Sequence, residues 1–219
     1  MTVLVIGSTR GTGNALVNHL LAEGTSVRAM VRDPGQADGL RAEGAEVAVG
    51  DLEGAMEGVV DGVDAVAFCA GSGSSTGPDA TLRVDLHGSV RVMDACVEAG
   101  VRRFVMLSAM AADDPMRGPE AIRHYLAAMH ARDRLLRCSG LDATIVRPGG
   151  LTHDEPTGRV TVGVPRLDAR GSIPRADVAA VLAGCLADEA TIGATFELIG
   201  GDRPISEALA VVGRGGAAG

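Results

Sequence analysis

The chain has 219 residues, 46% of them hydrophobic, and a formal net charge of −8. That length and apolar content suit one domain with a substantial core. The acidic balance, with no basic stripe interleaved with aromatics, argues against a nucleic-acid partner, and no run of about 18 apolar residues is present to cross a membrane.

The first element is an apolar strand, Val3–Ile6, which runs into Gly7-Ser8-Thr9-Arg10-Gly11-Thr12-Gly13 and then an amphipathic helix over Thr12–Ala22. Glycines at the first, fifth and seventh positions of that turn allow a tight bend, close approach of backbone to a pyrophosphate, and helix-on-strand packing, with the helix N-terminus facing the anion. The motif predicts a dinucleotide site formed by Gly7, Ser8, Thr9, Arg10, Gly11, Thr12 and Gly13. Further strands are predicted at Ser26–Val31, Glu46–Val49, Ala65–Phe68, Arg103–Leu107, Ala143–Val146 and Thr195–Leu198. Helices are predicted at Asp79–Ala99, Pro119–Ser139 and Arg175–Ala187, with short ones at Gly35–Ala42 and Glu53–Val60. This alternation predicts a doubly wound α/β domain, its mostly parallel sheet of about seven strands covered by helices on both faces. The domain is expected over residues 1–210, with small C-terminal elements on the substrate side and a flexible tail over 211–219, glycine-rich from Gly213 on. Gly71–Gly77 has the composition of a flexible flap, and Gly149–Pro156 is expected as a loop roofing the substrate side.

At the end of the second strand a carboxylate would take the ribose 2′-hydroxyl of NAD, whereas an arginine pairs with the 2′-phosphate of NADP. Arg32 stands there after Val31. Asp33, at about the spacing of a ribose-binding acid, is assigned to a turn or helix cap, because it precedes Pro34. Cys69, Cys96, Cys138 and Cys185 are widely spaced, so no metal site is expected and the cysteines are read as reduced core residues. The N-terminus enters a strand with no basic region or cleavage site, which sets the expectation of a cytoplasmic protein.

Gly7–Gly13, Val27–Pro34, Gly50-Asp51-Leu52, Ala99–Val105, Ser139–Asp142 and Val146–Leu151 together resemble the atypical short-chain dehydrogenase/reductases of the NAD(P)H-binding, NmrA-like type. That group includes sugar-epimerase-like proteins and biliverdin-IXβ/flavin reductases. The resemblance, from Thr2 to Leu209, implies a single Rossmann domain. It implies adenine contacts from Asp51 and Leu52, with Asp51 equally suited to N-capping the helix expected over Glu53–Val60, and cofactor contacts from Ala70 and Gly71. A basic residue before the second glycine, here Arg10, is what NADP-preferring relatives carry, so NADP(H) is expected over NAD(H).

Short-chain enzymes commonly combine a serine, a tyrosine and a lysine four residues after the tyrosine. Ser108 and Tyr125 are therefore the candidate catalytic residues, with the alternative open that Tyr125 packs one ring face and leaves its hydroxyl at solvent and that Ser108 only bonds to backbone at the strand end. The lysine position is Met129, and all 20 basic residues are arginine. An unassisted tyrosine has a pKa near 10 and is a poor base at neutral pH. His124 and His130 lie off the Tyr125 face, which residues 121, 122, 128, 129 and 132 share; His153 sits in the roof loop.

The expected function is NADPH-dependent hydride transfer to a small carbonyl, quinone or flavin acceptor. The alternatives are a non-catalytic NADP(H)-binding sensor and, with weaker support, a sugar epimerase or dehydratase. The expected partner is a small-molecule substrate, with a homodimer left open.

Overall fold

The computed structural model describes residues 1–73 and 76–216. Its elements in chain order are β1 (Thr2–Ile6), α1 (Gly11–Ala22), β2 (Ser26–Val31), α2 (Ala37–Ala42), β3 (Glu46–Val49) and β4 (Ala65–Phe68). Next comes α3, a continuous helical run of Pro78–Ala80, Thr81–Gly88 and Ser89–Ala99, followed by β5 (Arg103–Leu107), α4 (Arg123–Cys138), β6 (Asp142–Pro148) and β7 (Gly150–Thr152). The chain continues through β8 (Arg159–Gly163), β9 (Ser172–Pro174), α5 (Arg175–Ala187), β10 (Thr195–Gly200), β11 (Arg203–Pro204) and α6 (Ile205–Gly216).

All seven predicted strands form, but the main sheet has nine, in the order β11-β8-β10-β6-β5-β4-β1-β2-β3. From β10 to β3 every pairing is parallel, while β8 runs antiparallel to β10 and to β11. The two additional strands are short segments with half-exposed residues, so they carry none of the continuous apolar signal of a doubly covered strand. The central strands show that signal: β4 is buried throughout and β1 at all but its first residue. One apolar cluster on one face includes Val3, Val5, Leu16, Val105, Val181 and Phe196, and another on the opposite face includes Leu4, Ile6, Phe68, Val92, Phe104 and Leu136. The alternation of neighbouring residues of β1 between the two clusters is the period of two expected for a sheet with helices on both faces.

Three expectations are corrected. No helix forms over Glu53–Val60. The Arg91 guanidinium, from α3, instead donates to the carbonyls of Leu52 at 2.7 Å and Gly54 at 2.6 Å, and Asp51 N–H bonds to the Ala55 carbonyl at 2.7 Å, so those backbone groups are committed to a turn. The roof segment contains β7, which pairs in parallel with β9 as a separate two-stranded sheet. The C-terminal segment stays helical through Gly216, with Val212 fully buried; a Cβ on Gly213 would lie 2.9 Å from Ala190 Cβ, so its small size serves packing. Residues 217–219 of the expected tail lie outside the described residues.

The sheet direction of chain travel reverses between β1 and β4, which places a crevice above their C-terminal ends. The glycine turn, Arg32, Ala70, Gly71 and Ser108 all follow strands at that edge.

Candidate functional site

The glycine turn is shaped by close backbone approach. Gly7 has φ +88°, and a Cβ there would lie 2.6 Å from Ala70 N; a Cβ on Gly13 would lie 2.1 Å from the Gly7 carbonyl oxygen. Neither position has room for a side chain. The result is a flat cradle leading into α1, whose N-terminus has no side-chain cap, and the buried Thr12 hydroxyl beside it has no hydrogen-bond partner among the described residues. Free N–H groups and an orphaned hydroxyl at a helix N-terminus suit the oxygens of a pyrophosphate. The residues present therefore fit a dinucleotide.

The other predicted contacts sort by where their side chains go. Thr9, Arg10 and Arg32 are exposed at the crevice. Seven other arginines are in ion pairs among the described residues, and Arg10 and Arg32 are in none. Ser8 is fully buried and its hydroxyl donates to the Met30 carbonyl at 2.7 Å, so the side chain ties the turn to β2 and only its backbone is left for a ligand. Asp33 accepts from Gly35 N–H at 2.9 Å, the turn role expected from Pro34. Asp51 accepts from Glu53 N–H at 3.0 Å, an Asx turn, while Leu52 is buried.

Ala70 is half-buried and Gly71 exposed at the mouth of β4. The loop is held there by Asp85, in the Thr81–Gly88 segment of α3, whose carboxylate accepts from Ser72 N–H at 3.0 Å. Thr81–Gly88 is π-helical, a widened turn found frequently at functional sites. This end of the expected flap is thus anchored; Ser74 and Ser75 lie outside the described residues.

Ser108 ends up at the floor of the crevice, just after β5, and its hydroxyl donates to Asp133 Oδ2 at 2.9 Å. The same oxygen accepts from Arg147 Nε at 2.8 Å, with the Asp133 and Arg147 side chains 0% and 3% exposed. Arg132, also buried, donates to the Leu107 carbonyl at 2.8 Å and lies with its guanidinium carbon 5.7 Å from the Phe68 ring centroid. Arg132 Nε and Asp133 Oδ1 have no partner among the described residues. This charged floor was not anticipated. Its signal was present all the same: an arginine inside the apolar run Ala143–Pro148, and Arg132-Asp133 on a helix, both of which require buried partners.

Tyr125 packs against a small cluster of Ala112, Ala128 and Met129, with Leu86 and Ala109 beside it. Burial pushes its phenol above the usual range; Arg132 opposes that rise, and Asp85 and Asp133 add to it. The net effect keeps the hydroxyl protonated. Met129, where a lysine would stand, is fully buried among apolar neighbours. His130 Nδ1 is 2.8 Å from the Ala112 carbonyl oxygen, in a structural contact, and His124 and His153 are exposed.

Two further residues organise the substrate side. Glu197, buried on β10, accepts from Ala111 N–H at 2.8 Å and Leu167 N–H at 2.9 Å, stapling two loops together. Arg175 donates to the Leu151 and Thr152 carbonyls at 3.2 and 3.1 Å, and a Cβ on Gly11 would lie 3.7 Å from its Nε. It links the roof strand to the glycine turn. Among the described residues no cluster of three His, Cys, Asp or Glu is arranged to hold a metal, and no helix is long and apolar enough to cross a membrane.

The cysteines divide. Cys96 and Cys185 are buried and Cys69 half-buried, each thiol pushed up to about 12 by burial. Cys138, at the end of α4, is exposed, which corrects its assignment to the core.

Comparison with known proteins agrees with this geometry. A family described as NAD(P)H-binding matches residues 7–189. YhfK of Bacillus subtilis, named an uncharacterized sugar epimerase, is 42% identical over 214 residues, spanning 95% of this chain and 99% of its own. A Bacillus halodurans structure provisionally assigned as an NAD-dependent epimerase/dehydratase is 41% identical with a TM-score of 0.93, covering 98% of this chain and 99% of its own. ChuY of Escherichia coli O157:H7, described as an anaerobillin reductase, is 25% identical with a TM-score of 0.78, covering 92% and 98%. With its glycine cradle, parallel sheet and strand-edge crevice, the chain belongs to the NAD(P)H-binding family of atypical short-chain dehydrogenase/reductases and takes a nicotinamide dinucleotide as cofactor.

Proposed function

We propose that the protein is an NADPH-dependent reductase of a small carbonyl, quinone or flavin acceptor. The observation that carries this reading is the pairing of an open phosphate cradle with a tyrosine kept in its protonated form at the same crevice. The reduced nicotinamide, when bound, supplies a hydride to the acceptor carbon. For a carbonyl or quinone acceptor Tyr125 serves as the acid: its O–H proton passes to the acceptor oxygen, and water restores it; a flavin takes its proton from water. A phenol that stays protonated at neutral pH is present as a donor and not as a base, so the site favours reduction over alcohol oxidation or keto-intermediate epimerisation. The buried floor of Arg132, Asp133 and Arg147 fixes Ser108 beneath the reacting atoms and excludes water from that side.

NADP(H) preference is supported by Arg10 and Arg32, both exposed at the crevice and in no ion pair among the described residues. Each offers a charge-assisted hydrogen bond to a 2′-phosphate, about 1.5–3 kcal/mol before desolvation. NADPH is expected to bind at least about tenfold tighter than NADH, with Arg32→Ala removing most of the difference. Equal affinities in a fluorescence titration would overturn the preference. Turnover is tested by following NADPH absorbance with a panel of quinones, flavins and ketones, where Tyr125→Phe is expected to slow carbonyl reduction. Tight NADPH binding with no oxidation by any acceptor would instead assign the protein as an NADP(H)-binding sensor.

A further inference from the structure

The proton of Ser108 is already committed. A serine hydroxyl has one hydrogen to donate and lone pairs to accept with. Here the hydrogen points to Asp133 Oδ2 at 2.9 Å, and Arg147 Nε donates to that same oxygen at 2.8 Å. Arginine nitrogen is always a donor, so this oxygen acts as an acceptor towards both partners and Ser108 is the donor of its pair. Ser108, Asp133 and Arg147 are 5%, 0% and 2% exposed, leaving no solvent at the floor to redirect the hydroxyl. Among the described residues nothing donates to Ser108 Oγ. What it offers upward is a lone pair.

We propose that Ser108 acts on the bound substrate as a hydrogen-bond acceptor, and that the site selects acceptor molecules carrying an N–H or O–H group within two bonds of the reducible carbon. This rests on the reductase reading above and narrows its substrate class. A ligand presenting only oxygen or a methyl group to Ser108 sets lone pair against lone pair, or leaves the lone pair unmatched. A buried polar group without a partner is disfavoured strongly enough to discriminate between otherwise identical molecules.

Indole-2,3-dione and its N-methyl derivative form a matched probe pair differing by one N–H. Their dissociation constants are measured on protein saturated with NADP⁺, for the wild type, Ser108→Ala, and the double variant Asp133→Leu/Arg147→Met, with thermal melts confirming folding. The wild type is expected to favour the N–H compound by about tenfold or more, and Ser108→Ala to reduce the ratio to within about twofold. The double variant, with no acceptor for the Ser108 proton and neither member of the Asp133–Arg147 pair left stranded, is expected to lose the preference as well. Ser108→Ala keeps the test decisive if the double variant fails to fold. Equal binding of the two diones by the wild type, a preference surviving Ser108→Ala, or binding of neither dione overturns the proposal. A loss of NADP⁺ rather than dione affinity in Ser108→Ala assigns the lone pair to the cofactor carboxamide and also overturns it. Failure of the reductase reading appears separately, as no NADPH oxidation across the acceptor panel.

Discussion

Replacing Arg147 by methionine tests the charged floor of the crevice. The change keeps an unbranched stem, shorter than that of arginine, but strands Asp133, which is fully buried and retains only the Ser108 hydroxyl as a side-chain donor among the described residues. Breaking a buried pair from one side costs about 3–5 kcal/mol, because the remaining charge has lost its compensation. The lower half of that range is expected here. Asp133 Oδ1 has no partner among the described residues, so part of its desolvation is already uncompensated. A domain of this size loses about 2–4 °C of melting temperature per kcal/mol, so Arg147→Met should melt roughly 6–16 °C lower. Converting Asp133 to leucine as well removes the stranded charge, and the double variant should be less destabilised than the two single variants added together, by about 1–3 kcal/mol. Urea denaturation of all four proteins gives the cycle. Additive losses, or a cost below about 1 kcal/mol for Arg147→Met, would refute the claim that the pair is a buried, mutually dependent unit.

Other outcomes follow from the same structure. A Cβ on Gly13 would collide with the Gly7 carbonyl at 2.1 Å, so Gly13→Ala should displace the turn and weaken NADPH binding by about tenfold or more at little change in far-UV circular dichroism; unchanged affinity in a titration would contradict the cradle. In the native protein a thiol reagent should modify Cys138 first and alone, since Cys69, Cys96 and Cys185 are held up to about 12 by burial; rapid reaction of a second thiol would contradict this. Those three folded-state pKa values lie above the ordinary 9.0, so stability is full below pH 9 and falls as pH rises towards 12, where the unfolded chain ionises first. Urea midpoints at pH 8, 9.5 and 11 should decline in that order, and a flat series would contradict it. For the same reason of burial, Tyr125 should show no deprotonation limb in the rate of carbonyl reduction between pH 7 and about 9.5.

The seven parallel strands, the glycine turn and the turn role of Asp33 were all legible in the sequence, because each depends on local chemistry. A continuous apolar run marks a strand covered on both faces, closely spaced glycines mark backbone approach, and a residue before proline is kept out of a helix. The spacing of Gly7, Gly11 and Gly13 made a nicotinamide dinucleotide readable before the fold. Composition misled at Glu53–Val60, where helical patterning lost to backbone carbonyls claimed by Arg91 from 37 to 39 residues away. It misled again at Gly213, where glycine serves close packing against Ala190 inside a helix.

Chemistry at the crevice floor depended on tertiary structure. No local signal joins Ser108 to Asp133 or Asp133 to Arg147, since the three come from a strand end, a helix and a neighbouring strand. Only the stacking of α4 on β5 and β6 brings them within hydrogen-bond reach, and only their shared burial fixes which one gives its proton. The sequence by itself determined that the cofactor is a nicotinamide dinucleotide, because a glycine-spaced turn after an apolar strand suffices for that. Which way the serine hydroxyl points, and why the lone tyrosine keeps its proton without a lysine beside it, were decided by packing, which sets the partners and the solvent exposure on which both depend.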